Sequence, residues 1–70
     1  MPNPKSGKLA NIVKQLREQK GLSQEKLARI ADISNNTITN IEVGNQLNPT
    51  IETLKKIAKA LEVDVKDLMD

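Results

Sequence analysis

The chain has 70 residues, enough for one domain and no more. A domain of this size buries only about 60% of the surface its unfolded chain exposes. It contains neither cysteine nor histidine, which excludes disulfides and the usual zinc-ligand sets. With no aromatic residue, its core must be built from Leu, Ile, Val and Ala. The net charge is +2, unevenly spread: residues 1–31 carry seven basic and two acidic groups, residues 32–70 four basic and seven acidic. A basic half facing an acidic one suits an anionic partner on one side of the molecule.

Pro2, Asn3, Pro4 and Ser6 predict a flexible leader over residues 1–7, with the domain proper at 8–70. From Leu9 the apolar positions Leu9, Ile12, Val13 and Leu16 follow the i, i+3, i+4, i+7 spacing of an amphipathic helix. Gly21 should end that helix, with Lys20 in its last turn. Ser23 reads as the N-cap of a second helix carrying Leu27, Ala28 and Ala31, and Glu25 complements its positive end. Asp32 then sits in a short turn, where Asp tolerates the left-handed backbone. Ser34 caps a third helix with Ile38 and Ile41 on its inner face, and Gly44 closes it. Residues 44–49 form a polar loop whose only apolar anchor is Leu47. Thr50 caps a fourth helix with Ile51, Leu54, Ile57, Ala58 and Leu61 inward, and Asp64 caps a short fifth helix, with Asp67 three residues later. Strand-type alternation is nowhere evident, so the expected class is all-α, five short helices with tight connections.

Two short helices joined by a three- to four-residue turn make a helix-turn-helix unit. Its steric needs are met between Gln24 and Gly44. Ala28 is small where the helices approach, Asp32 takes the turn, and Leu27, Ala31, Ile33, Ile38 and Ile41 lock one helix on the other. In such a unit the start of the second helix meets base edges in the major groove. Here that surface comprises Ser34, Asn35, Asn36 and Thr37, with Thr39 and Asn40 one turn on. Asn can bond the N6 and N7 of an adenine together, and Thr can donate, accept or touch a thymine methyl. Short amides and hydroxyls are poor helix formers, so three Asn between positions 35 and 40 invite a functional reason. The bland alternative is a set of first-turn residues near a cap. Gln24, where the second helix presents free N–H groups, is a candidate phosphate ligand. Lys8, Lys20, Lys26, Arg29 and Asn45 are further candidates for the phosphate backbone, although a solvated face is the ordinary state of any one lysine.

The run GLSQEKLARIADISNNTITNIEVGN followed by PTIETLKKIAKALEVDVKDLM resembles the lambda-repressor-like family of phage repressors and Cro proteins, also called the XRE family. The resemblance covers Leu9 to Met69 and rests on several features in order. These are Arg17 before Gly21, Leu22-Ser23-Gln24, Leu27-Ala28, Ile38, Ile41-Glu42 with Gly44, Thr53-Leu54 and Ile57-Ala58. It implies a compact five-helix DNA-binding domain that regulates transcription, usually as a repressor-type homodimer on a palindromic double-stranded operator. It also implies a phosphate role for Gln24 and a structural ion pair between Arg17 and Glu42. Two departures stand out: Asn45-Gln46-Leu47-Asn48 lacks the basic residues common in this loop, and Val43 replaces a commonly polar residue. Both remove phosphate contacts and predict a shallow salt dependence.

A module this small buries too little DNA surface for strong selective binding alone. A two-fold dimer is therefore expected through the fifth helix and adjoining loop, with Val65, Leu68 and Met69 at the interface. The competing function is a protein-interaction module, an antitoxin or adaptor with secondary DNA binding. An enzyme is excluded: there is no His or Cys, no Gly-rich phosphate loop and no ligand set for a metal or cofactor. No apolar run approaches the roughly 20 residues of a membrane span. The expected setting is the cytoplasm of a prokaryotic cell or phage-infected host, away from any membrane.

Overall fold

The computed structural model describes residues 4–45 and 49–69, with side chains placed from Lys8 to Asn45 and from Pro49 to Leu68. Among these residues there are five helices and no strand: α1 (Pro4–Gln19), α2 (Gln24–Ala31), α3 (Asn35–Glu42), α4 (Ile51–Leu61) and α5 (Val65–Met69). Leu47 and the Met69 side chain lie outside the described residues, as do residues 1–3.

Helix starts follow local chemistry. The side chains of Ser23, Ser34 and Thr50 each sit on an extended backbone and accept a hydrogen bond from the N–H three residues on, at Lys26, Thr37 and Thr53. At α5 the bond runs back: Asp67 Oδ2 accepts from the Asp64 N–H at 3.1 Å. The first helix departs from expectation. It begins at Pro4, inside the stretch read as a leader. Proline has no N–H to orphan and its φ is already helical, so it is well suited to a first helical position.

Four helices end in one way. The N–H groups of Leu22, Ile33, Asn45 and Val63 reach back to the carbonyls of Arg17, Ala28, Asn40 and Ala58, at 2.9–3.1 Å. The residue before each adopts positive φ: Gly21, Asp32, Gly44 and Glu62. This is the Schellman closure, whose outer residue commonly packs on the helix it ends. Leu22, Ile33 and Val63 do pack against the core. Asn45 is the polar exception and is exposed, at the end of α3.

The core is aliphatic throughout: Val13, Leu27, Ala28, Ile38, Ile41, Leu54, Ile57, Ala58, Leu61 and Leu68. Helix α2 packs on α3 and α4, α1 on α3 and α5, and α4 on α5. The helix-turn-helix pair is thus backed by helices on either side, which fixes the pose of α3. Leu68 corrects an expectation. Its side chain is 1% exposed within the single chain and belongs to this core. With no aromatic ring to fill the space between α1 and α4, α5 closes that end with Leu68, and the residue is not free for a partner subunit. Val65, also expected at the interface, is half-buried and packs on the same core.

Candidate nucleic-acid interface

Helix α3 presents two chemically distinct faces. Ile38 and Ile41 are buried inward, while Asn35 and Asn36 are exposed and Thr37, Thr39 and Asn40 are half-buried. Among these outward groups none carries a charge. Ser34 is exposed, but its hydroxyl is committed to the cap: Oγ accepts from the Thr37 N–H at 3.1 Å and lies 2.8 Å from Thr37 Oγ1. Beside this face runs a cleft of about 200 Å³ lined by Thr37, Asn40, Pro49, Thr50 and Thr53. It places the capped start of α4 next to the outward surface of α3. The only sequence signal for that neighbour was the Thr50 cap directly after Pro49.

Behind α3 lies a polar network that crosses three segments. Arg17 Nε donates to Glu42 Oε2 at 2.7 Å, Nη2 donates to Oε1 at 3.1 Å, and Nη1 donates to the Leu22 carbonyl at 2.7 Å. The pair is shielded, with side chains 11% and 3% exposed. The hydrogen bond to Glu42 raises the Arg17 pKa above its ordinary value, against the opposing effect of burial. Gln24 joins the same carboxylate, its Nε2 donating to Glu42 Oε1 at 3.0 Å. On its other side Gln24 Oε1 accepts from Thr39 Oγ1 at 3.2 Å. Sequence reasoning took Gln24 as an outward-facing group and Thr39 as an independent one. The bonds between them are made across α2 and α3, which no local pattern shows.

The candidate cations are dispersed. Lys26 and Arg29 are exposed on α2, and Arg29 approaches Glu25 at 3.9 Å, one turn away. Lys8 is exposed on α1. Lys20 pairs with Glu62 at the C-terminal end of α4 and depresses the Glu62 pKa through a hydrogen bond and charge attraction. Lys20 is therefore engaged within the fold, although an exposed pair of this kind holds its partner weakly. Among the described residues no group of side chains could hold a metal ion.

Comparison with known proteins gives this arrangement its family. The family model described as Helix-turn-helix matches residues 13–68, most of the chain. The chain belongs to this helix-turn-helix family. The HTH-type transcriptional regulator SinR of Bacillus subtilis is 38% identical over 58 residues, covering 83% of this chain and 52% of SinR. The control protein C.BamHI of Bacillus amyloliquefaciens is 44% identical over 59 residues, covering 83% of this chain and 72% of that protein. In solved form, the biofilm master regulator SinR in complex with DNA superposes with a TM-score of 0.86 at 35% identity, over 89% of this chain and 98% of that one. The chain spans about half the length of the SinR relative. Its five helices are those of the helix-turn-helix DNA-binding domains, with α2 and α3 forming the namesake unit.

Proposed function

We propose that this chain binds double-stranded DNA sequence-specifically and regulates transcription, with α3 in the major groove. The carrying observation is the division of α3. Ile38, Ile41 and Glu42 tie it to the core and to Arg17, leaving Asn35, Asn36, Thr37, Thr39 and Asn40 outward as uncharged hydrogen-bonding groups. Uncharged amides and hydroxyls discriminate between base edges, whereas charge mainly reads the backbone. The SinR relative, in complex with DNA in its solved structure, lends support.

In this reading Asn35, Asn36 and Asn40 are the principal readers, with Thr37 and Thr39 beside them and Ser34 holding the helix start. Lys26, Arg29, Asn45 and the remaining amide hydrogen of Gln24 approach phosphates, and Lys20 joins only by leaving Glu62. The chain acts as a homodimer on a palindromic operator, with half-sites about one helical turn apart. Since Leu68 is taken up by the core, pairing rests on other residues of the α4–α5 end. The domain works by binding, without a metal or cofactor.

Selection from a random duplex pool tests this directly. The expected result is an enriched palindrome, with sedimentation showing two chains per duplex. Replacing Asn35, Asn36 and Asn40 together with Ala should erase the enriched sequence while leaving the helical fold intact. Each lost bidentate contact costs about 1–3 kcal/mol of discrimination. An unchanged enriched sequence in the triple variant would rule out readout by these side chains. Intact partner binding in an antitoxin-like role with no enrichment at all would favour the interaction-module reading.

A further inference from the structure

We infer that Gln24 determines which hydrogen-bonding role Thr39 offers to a base, making Gln24 a specificity-determining positioning residue. The inference rests on the DNA-binding reading above and adds a chemical direction to it. A threonine hydroxyl has one hydrogen and two lone pairs, so by itself it can face a base as donor or acceptor. Here the hydrogen is committed: Thr39 Oγ1 donates to Gln24 Oε1 at 3.2 Å. What remains for a base is acceptor capacity and the methyl group.

The direction of that bond follows from chemistry. An amide's oxygen and nitrogen are assigned from their partners, and here the partner on the far side is a carboxylate. Glu42 Oε1 accepts from Gln24 Nε2 at 3.0 Å and from Arg17 Nη2 at 3.1 Å, and Oε2 accepts from Arg17 Nε at 2.7 Å. An ionised carboxylate has no hydrogen to give. Flipping the Gln24 amide would set oxygen against oxygen, so the amide is held with its nitrogen toward Glu42 and its oxygen toward Thr39. The polarity thus runs from Arg17 through Glu42 and Gln24 to the outer face of α3. Groups on α1, α2 and α3 together set a property of one side chain in the reading surface.

In the major groove the base donors are the N6 amino group of adenine and the N4 amino group of cytosine. Thr39 therefore favours A or C at its position, and disfavours the bare acceptors of guanine and the thymine carbonyl. The Thr39 methyl can still lie against a thymine methyl, so the signature lies in the hydrogen-bonded strand. Gln24 also retains one amide hydrogen for a phosphate, which makes backbone contact and base preference parts of one unit.

The experiment compares base profiles selected from a random duplex pool by the wild-type chain and by Gln24→Met, Thr39→Val, Thr39→Ser and the Gln24→Met/Thr39→Val double variant. Methionine keeps the length of Gln24 and removes both hydrogen bonds, freeing the Thr39 hydrogen. Q24M should relax the preference at one position per half-site about 2- to 10-fold, the range for one hydrogen bond, with other positions unchanged. T39V should abolish preference for A or C there, T39S should keep it, and the double variant should match T39V at that position. A uniform affinity loss in Q24M with an unaltered profile overturns the inference and leaves Gln24 as a phosphate ligand only. An unaltered profile in T39V overturns it even if Q24M fails to fold. A wild-type chain that enriches no sequence refutes the DNA-binding reading, and the inference falls with it. A wild-type palindrome with no A or C preference attributable to Thr39 refutes the inference alone.

Discussion

Replacing Glu42 with Ala is the sharpest test of how α3 is held. The Glu42 carboxylate is 3% exposed and accepts two hydrogen bonds from Arg17 and one from Gln24. Its removal leaves the Arg17 guanidinium, 11% exposed, with the Leu22 carbonyl and the exposed Glu18 carboxylate at 4.0 Å as its remaining partners. Breaking a buried pair by removing one partner costs about 3–5 kcal/mol. Because Arg17 keeps a little solvent contact, the low end applies, about 3 kcal/mol. The whole stability of a 70-residue domain is about 4–10 kcal/mol, so the loss is a large fraction of it. The melting temperature should fall by about 12–24 °C. The raised Arg17 pKa adds stability that is complete below the ordinary arginine value and is lost only as pH rises through the raised one. Arginine is thus charged across the working range, and the deficit of the variant should not vary between pH 6 and pH 8 on its account. Urea unfolding followed by circular dichroism measures the loss. The Arg17→Met/Glu42→Met double variant, which leaves no unpaired charge, should recover at least half of it. A double variant whose loss equals the sum of the singles would falsify the coupling, as would a single-variant cost below about 1 kcal/mol.

Other outcomes follow from individual residues. Leu68→Ala should cost about 2–5 kcal/mol as a core truncation, equally at low and high protein concentration. A loss that grows on dilution would instead place Leu68 between subunits. Asp32, at φ 60°, occupies the left-handed region. Asp32→Gly should therefore raise the melting temperature by a few degrees, about 0.5 kcal/mol, once the added freedom of the unfolded chain is set against the relieved backbone; a lower melting temperature would show that Asp32 makes a contact worth more than its strain. The Glu62 carboxylate should titrate below its ordinary value of 4.5, and Lys20→Met should restore that value in a carbon-detected NMR titration. The stability it contributes is present above the unfolded-state pKa and is lost as pH falls through the depressed folded one. Identical midpoints with and without Lys20 would refute the pairing.

The local grammar of the chain is legible because caps and stops act within one turn. Ser23, Ser34 and Thr50 need only the N–H three residues away, and Gly21 and Gly44 need only their own backbone freedom. Spacing of Leu, Ile and Ala gave the inner faces of α2, α3 and α4, because a 3.6-residue period turns sequence interval into direction. Ile51, expected inward, is the exception, 51% exposed at the first position of α4, ahead of the turn that meets the core. The extra length of α1 was obscured because Pro4 reads as a breaker unless it is known to sit at a helix start. Glu62 in the left-handed region was equally hidden: no intrinsic preference of glutamate puts it there. It follows from α4 needing to stop where Val63 can pack against the core.

What the sequence determined by itself is the set of helices, their buried stripes and the amide- and hydroxyl-rich character of α3. These depend on interactions between residues a few positions apart. Only the tertiary structure decided how the polar side chains are used. Gln24 turns to Glu42 and Thr39, Lys20 reaches Glu62, and Leu68 completes the core. Each partner is separated in sequence but adjacent in space. A long polar side chain settles where its hydrogen bonds can be made once the helices have packed, and that choice is not encoded in its neighbours along the chain.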